Sequence, residues 1–306
     1  MNSEQTKQGI LFVAGSYLIW GFIPLFWKML EHVPSIEILW NRIIWSFIFT
    51  VLFIIIIRKK DALIEDIKQL IRHPKQLIII TVASIFITIN WFIYIWAVNH
   101  DQVLQTSLGY YINPLISVVF GVIFLKEKLS KATIVAVCIA AVGVIGLTIY
   151  YAQIPYIALT LALSFASYSV LKKKVTLEAT RGLAIETFVM VPVAIIAYVV
   201  LAKNQGAHLF TGDIKTTILL MCGGILTAIP LVLFAKGAAK IPLYLVGFIQ
   251  YLSPTIVLLL GIFLYKEPFT GIEFFAFCCI WCAVFLFTVS KMVEVRNLRM
   301  NNESVN

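Results

Sequence analysis

Ten stretches of about twenty mostly apolar residues follow one another along this chain: 9–30, 36–57, 77–98, 103–125, 132–151, 154–171, 183–202, 216–236, 243–265 and 272–290. A helix needs about 20 such residues to cross the hydrocarbon core of a bilayer. The connections are short, and the longest, 58–76, has room for one amphipathic stretch at the interface. No segment remains for a soluble domain, so any function must sit within the membrane. Composition closes the alternatives. With 61% hydrophobic and 13% charged residues and a mean hydropathy of +0.96, the chain has about half the charge of a soluble domain. Disorder needs low hydrophobicity, and a water-soluble globule of this size could not hide so much apolar surface. The expected fold is all-α, an integral membrane protein of ten transmembrane helices, multi-pass in the cell membrane and in contact with membrane lipids. The first span holds Trp20, Pro24 and Trp27 and no small-residue cleavage site follows it, so it reads as a permanent span and not a signal peptide.

The net charge of +9, from 24 Lys and Arg against 15 Asp and Glu, suggests a nucleic-acid partner only until the charges are placed. One set of alternate connections and ends holds nineteen basic residues, six of them in 58–76. The other set holds only Lys28, Lys203, Lys215 and Lys266, and Arg42 lies inside a span. Basic loops stay in the cytoplasm, so both termini are expected there. The same bias accounts for the basic balance with no nucleic acid involved.

The chemistry of catalysis is sparse. Cys138, Cys222, Cys278, Cys279 and Cys282 lie in apolar runs and read as packing residues. The CxxC of Cys279 and Cys282 has no second Cys or His pair at zinc spacing. His32, His73, His100 and His208 all fall in loops or at span ends, which argues against an intramembrane Ser–His protease and a multi-histidine metal site. No P-loop is present either. No catalytic residue, metal or cofactor is expected, and the chain does not read as an enzyme.

The most informative feature is internal. Residues 107–130, SLGYYINPLISVVFGVIFLKEKLS, align without gaps on 247–270, GFIQYLSPTIVLLLGIFLYKEPFT. Tyr111, Pro114, Ile116, Gly121, Lys126 and Glu127 match Tyr251, Pro254, Ile256, Gly261, Lys266 and Glu267 at a constant shift. More loosely, Ile36–Glu37 at the start of span two matches Ile185–Glu186 at the start of span seven. The chain therefore divides into two five-span repeats, 9–151 and 154–290. Five is odd, so the second repeat sits upside down relative to the first. Inverted repeats around a central site are the sequence mark of secondary transporters. Both halves of the pair occur in one chain, so no obligatory protein partner is expected.

Polar residues inside the spans are costly and each needs a reason. Glu37 and Arg42 lie one to two turns into span two, five residues apart and so on different sides of the helix. Snorkelling to the interface is the plain alternative for both. Glu186 stands at the start of span seven, where a carboxylate also suits a helix N-terminus. Trp20 in span one and Asn90, Trp91 and Tyr94 in span three place aromatic and amide groups deep in the bilayer. Tyr110, Tyr111 and Asn113 precede Pro114, and Gln250, Tyr251 and Ser253 precede Pro254. Each Pro frees a backbone carbonyl within a span, and matched interruptions in two halves point to a binding site. Ala136, Ala140 and Gly143 in span five, with Ala276, Cys279 and Ala283 in span ten, form small-residue faces for close helix packing. The expected substrate-binding residues are Trp20, Arg42, Trp91, Tyr110, Tyr111, Asn113, Gln250 and Tyr251, with Glu37 and Glu186 as candidates for ion or proton coupling.

Taken together, SYLIWGFIPLFWK at 16–28, EILWNRIIWS at 37–46, NWFIYIWAVN at 90–99, SLGYYINPL at 107–115, TAIPL at 227–231 and GFIQYLSPT at 247–255 resemble the RarD-type, chloramphenicol-sensitivity proteins. These are a branch of the EamA family in the drug/metabolite transporter superfamily. The resemblance covers nearly the whole chain. It implies ten helices in two inverted repeats and a central cavity built by the first four helices of each, and it does not supply a substrate; the repeat itself gives the expectation of a secondary transporter that moves a small-molecule substrate, a metabolite or drug-like compound, by alternating access. The family commonly has His before the Arg of span two; here Asn41 takes that place, against a histidine proton relay. A lipid or amphiphile flippase is the alternative reading. A passive channel conflicts with the scarcity of charge rings in the outer loops.

Overall fold

In hydrocarbon a backbone must satisfy its own amides, so each apolar run of this chain becomes helix. The computed structural model describes residues 3–126, 130–210, 213–241 and 243–303. The first half comprises α1 (Ser3–Lys28), α2 (Ser35–Ile56), α3 (Lys60–Arg72), α4 (Pro74–Asn99), α5 (Val103–Leu125) and α6 (Lys131–Tyr151). The second comprises α7 (Tyr156–Lys172), α8 (Ala179–Gln205), α9 (Ile214–Ala238), α10 (Leu243–Ile249), α11 (Leu252–Leu259) and α12 (Gly271–Glu303). Among the described residues nine helical segments are long and apolar enough to span a membrane. The expected span 154–171 forms the shorter α7, 17 residues and so roughly 26 Å long.

Span nine departs from the expected single helix. It is α10, a turn at Gln250 and Tyr251, then α11 and a π-helical turn, Leu260–Leu264. Its counterpart α5 runs unbroken through Pro114. The repeat nonetheless recurs in the backbone: Lys126 (φ 57°) and Lys266 (φ 53°), related by the same shift, both end their helices in the left-handed conformation. Glu127 lies outside the described residues.

The amphipathic stretch of 58–76 is α3, which lies across one end of the bundle. Leu70 with Leu63 and Ile67 packs on Ile80, Val175 and Ile185. Asp66 pairs with Arg181 (3.0 Å) and Lys59 with Glu178 (3.7 Å), tying α3 to the start of α8. Burial holds the Asp66 carboxyl above its usual range, against the pull of Arg181.

Packing follows the repeat. α1 lies against α9 and α11 as α7 lies against α4 and α5, while α2 with α8, α5 with α11 and α6 with α12 meet across the pseudo-two-fold axis. On that axis the equivalent rings of Tyr111 and Tyr251 stack at 6.0 Å and 15°. Ser107 donates to the Pro254 carbonyl (2.8 Å) and Tyr111 bonds Thr255 (2.6 Å), joining α5 to α11.

Lipid supplies no hydrophobic drive between helices, so contact depends on small residues that let backbones approach. The expected faces of α6 and α12 do meet: a Cβ on Gly143 would lie 3.0 Å from the Ala276 carbonyl and from Cys279 Cβ. At Gly224 the approach is closer still, a Cβ falling 2.4 Å from the Trp45 carbonyl carbon and 2.6 Å from the Ser46 nitrogen on α2. Gly224→Ala therefore pushes α9 off α2 and should destabilise the protein by about 1–3 kcal/mol. Gly15→Ala, with nothing within 4 Å, should be neutral or slightly stabilising. Thermal unfolding of both variants in detergent checks the pair.

Candidate functional site

Arg42 lies seven residues into α2, about 10 Å along its axis. It does not snorkel: the residue is only 6% exposed. Nε donates to Thr227 Oγ1 on α9 (2.9 Å), and that hydroxyl donates in turn to the Gly223 carbonyl (3.0 Å). The guanidinium lies over the Trp91 ring at 4.3 Å and the Trp27 ring at 5.3 Å. Four helices, α1, α2, α4 and α9, thus converge on one cation. Tyr94 and Tyr110, in the same apolar cluster as Trp27, meet edge to face at 5.6 Å.

The charge is not balanced. Among the described residues no carboxylate lies within 4 Å of Arg42. Stripping an ion of water costs several kcal/mol. Two cation–π contacts return about 2 kcal/mol each when desolvated, and a hydrogen bond to a charged group about 1.5–3 kcal/mol. The protein contacts hold the guanidinium in place without neutralising it.

Both intramembrane carboxylates are engaged elsewhere. Glu37 is fully buried at the start of α2 and accepts from the His208 backbone N–H (2.7 Å), with His208 Nδ1 at 2.8 Å. His32 stands 6.2 Å from the His208 ring and bonds Thr216 (2.9 Å), whose own N–H is capped by Asp213. Bonds from Thr216 and from the Lys215 N–H hold the exposed Asp213 carboxyl below its usual range. Glu186 on α8 is 3% exposed, ion-paired to Lys172, and accepts from the Tyr168 hydroxyl (3.1 Å). Ile43, Ile87, Thr88, Trp91 and Glu186 border one narrow crevice, too tight to admit a water molecule.

The other expected residues fall into separate groups. Tyr110 joins the Arg42 cluster, its hydroxyl donating to Asn90 Oδ1 (3.1 Å), while Asn90 Nδ2 donates to the Leu161 carbonyl (2.9 Å) and to Ser164 (3.1 Å). Asn90 is therefore a tie between α4 and α7. Tyr111 faces away, toward Phe277 and Trp281 of α12, and Tyr251 stacks on it. Trp20 packs against Tyr17 (5.2 Å) and Phe234 (6.1 Å). Gln250 donates to the Gly247 carbonyl in the break of span nine, and Asn113 accepts from Ser117 one turn on. Sequence reasoning passed over Trp27, Thr227, Lys172 and His208 as site residues. Thr227 had a signal, a hydroxyl three residues before Pro230 in a span; His208 had none, being 171 residues from Glu37.

At the opposite end from α3, Glu267 closes the junction of the halves, accepting from the N–H groups of Val103 (2.5 Å) and Leu104 (2.8 Å) at the start of α5. Burial raises its carboxyl above the usual range, opposed by those two amides.

The model of the EamA-like transporter family matches residues 7–149 and again 154–289. The chain is 46% identical over 300 residues to the protein named uncharacterized transporter YojE of Bacillus subtilis, covering 95% of this chain and 97% of that one. It is 37% identical over 296 residues to Protein RarD of Escherichia coli, covering 97% and 99%. A crystal structure of 16% sequence identity aligns over 92% of this chain and 97% of its own with a TM-score of 0.57, a likeness of fold.

Thr227→Val removes the acceptor of Arg42 Nε and leaves a buried charged donor unpaired. The expected loss is about 1–3 kcal/mol, read as a lowered melting temperature in detergent. Asn113→Ala, which removes one local bond, should lose less than half as much.

Proposed function

The chain belongs to the EamA-like transporter family, and from that membership we propose that this multi-pass membrane transporter is a secondary transporter that carries a small organic solute across the cytoplasmic membrane by alternating access. The observation that carries the reading is Arg42, a buried cation without a counter-ion among the described residues, where both repeats meet. Structural roles for an intramembrane charge normally bring a partner; one held open by indoles suits a ligand.

Two carboxylate locks flank this site. Glu37 with His208 closes α2 against the connection before α9, and Glu186 with Lys172 and Tyr168 closes α8 against α7. Because α2 and α8 are counterparts of opposite orientation, the locks act on opposite faces of the membrane. Opening one while the other holds gives access from one side at a time. Both carboxylates are also the groups at which proton uptake is coupled, since a proton on either weakens its pairing. The excess of basic residues in one set of loops supports cytoplasmic termini, which puts the Glu186 lock inside and the Glu37 lock outside.

One feature favours the alternative of an amphiphile carrier: an open apolar cleft between α2 and α9, edged by Phe49, Phe53, Ile229 and Val232, faces the lipid. Purified protein in proteoliposomes separates the two. Under a pH gradient, a panel of amino acids, aromatic and aliphatic monocarboxylates, nucleosides, sugars, polyamines and amphenicols is offered and accumulation is read by mass spectrometry against empty vesicles. One class should accumulate with the gradient. No accumulation of any class, with faster lipid scrambling, would move the reading to lipids.

The locks have their own test. With the native cysteines removed and Thr227→Cys introduced, Glu37→Gln should admit an impermeant maleimide from outside and Glu186→Gln from inside. Equal labelling from both sides in both variants overturns the gating, and unchanged pH dependence of transport in both overturns the coupling. A C-terminal fluorescent-protein fusion should glow and a phosphatase fusion stay inactive if the termini are cytoplasmic.

A further inference from the structure

We infer that the solute is a singly charged organic anion, a carboxylate on an aromatic or similarly flat apolar body, seated with its carboxylate on Arg42 between Trp27 and Trp91. The inference rests on the transport reading for the solute's passage, and on the site alone for its chemistry.

Three features of the site select this class. The first is donor surplus. The guanidinium carries five N–H bonds in a planar fork, and among the described residues only that on Nε reaches a protein acceptor, Thr227. The Trp27 indole nitrogen, in a residue 0% exposed, also finds no acceptor among the described residues. The hydroxyls of Ser46 and Thr50, one and two turns further along the same face of α2, are buried without a partner among the described residues, and each can donate or accept. Donors with no acceptor are complementary to oxygens that only accept, and the fork geometry of Arg matches the two oxygens of a carboxylate.

The second is charge. Glu186 is ion-paired to Lys172 and Glu37 is bonded to His208 at the start of α2, and among the described residues no carboxylate lies within 4 Å of Arg42. A monoanion brings the site to neutrality. A dianion such as a phosphate monoester would replace one excess charge with another of opposite sign in the same low-dielectric surroundings, and a cation would double the charge already there. A neutral solute would leave it as it stands.

The third is shape. Around the guanidinium the walls are rings: Trp27 and Trp91 on Arg42 itself, then Tyr94 and Tyr110 meeting edge to face beyond. Rings prefer offset or edge contacts with other flat apolar bodies. An aliphatic acid of the same charge would satisfy the fork and leave those walls without a partner.

The test uses purified full-length protein in nanodiscs and a matched set of probes: phenylacetate, its neutral amide 2-phenylacetamide, the cation phenethylamine, the dianion phenyl phosphate, and butyrate. Binding is followed by thermal stabilisation at millimolar probe and by competition. Phenylacetate should stabilise the wild type, with the amide, amine and phosphate weaker by at least about thirtyfold in affinity and butyrate between. Arg42→Gln should lose the preference for phenylacetate over its amide. Arg42→Lys, which keeps the charge and loses the fork, should keep the preference at roughly tenfold lower affinity; it serves also if the Gln variant fails to fold. The inference is overturned if phenylacetate does not stabilise the wild type, if the amide or amine binds as well, or if Arg42→Gln keeps the preference. Its fate separates from that of transport. Arg42-dependent binding without uptake in proteoliposomes sustains the inference and defeats the transport reading. Uptake of a neutral or cationic solute, indifferent to Arg42→Gln, does the reverse.

Discussion

Everything in this molecule follows from the cost of a bare backbone amide in hydrocarbon. That cost turns each apolar run into a helix whose bonds close within itself, and it removes from helix association the drive that water supplies in soluble proteins. What remains is close fit. Gly224 lets α9 ride directly on the α2 backbone at Trp45 and Ser46, and Gly109 does the same for α5 on Ala158 of α7. Only at such distances does Thr227 of α9 come within reach of Arg42 Nε. The glycine contacts and the buried cation are one arrangement seen at two scales.

Within that frame polar groups are handled in two ways. Glu37, Glu186 and Asn90 are each given partners from another segment, and they become ties between helices. Arg42 is given aromatic faces and a single hydroxyl, which fix its position and leave its charge open. A tied group stabilises the bundle it joins, whereas an open one makes the bundle's energy depend on what comes to it. The distinction lies in the neighbours of each residue and not in its type.

This explains how much was legible in the sequence. Spans, repeat and small-residue faces depend on composition and spacing, and they stand in the structure: Gly143 does meet Ala276, and Lys126 and Lys266 do share a left-handed turn. The site was legible in part. Arg42 is conspicuous in any apolar run, but its partners are set by tertiary contact. Tyr110 and Tyr111 show the limit well. Adjacent on one helix, they point about 100° apart, one to the Arg42 cluster and the other to Tyr251. No pattern in SLGYYINPL says which is which. The break at Gln250 was hidden for a related reason: Pro114 and Pro254 carry the same local signal, yet α5 absorbs it and span nine does not. The difference arises from packing, which the two repeats do not share in detail.

The stacked pair of Tyr111 and Tyr251 has a consequence of its own. These are one position occurring twice, in contact with itself across an axis. If two arrangements of the protein are related by exchanging the roles of the repeats, this contact is the same in both, and a change in its strength cannot favour either. It can alter only how hard it is to pass between them. Glu37 and Glu186 lie off the axis with unlike bases, so a change at either weighs on one arrangement alone. Symmetry thereby sorts the residues of this chain into those that set the pace of exchange and those that set its balance.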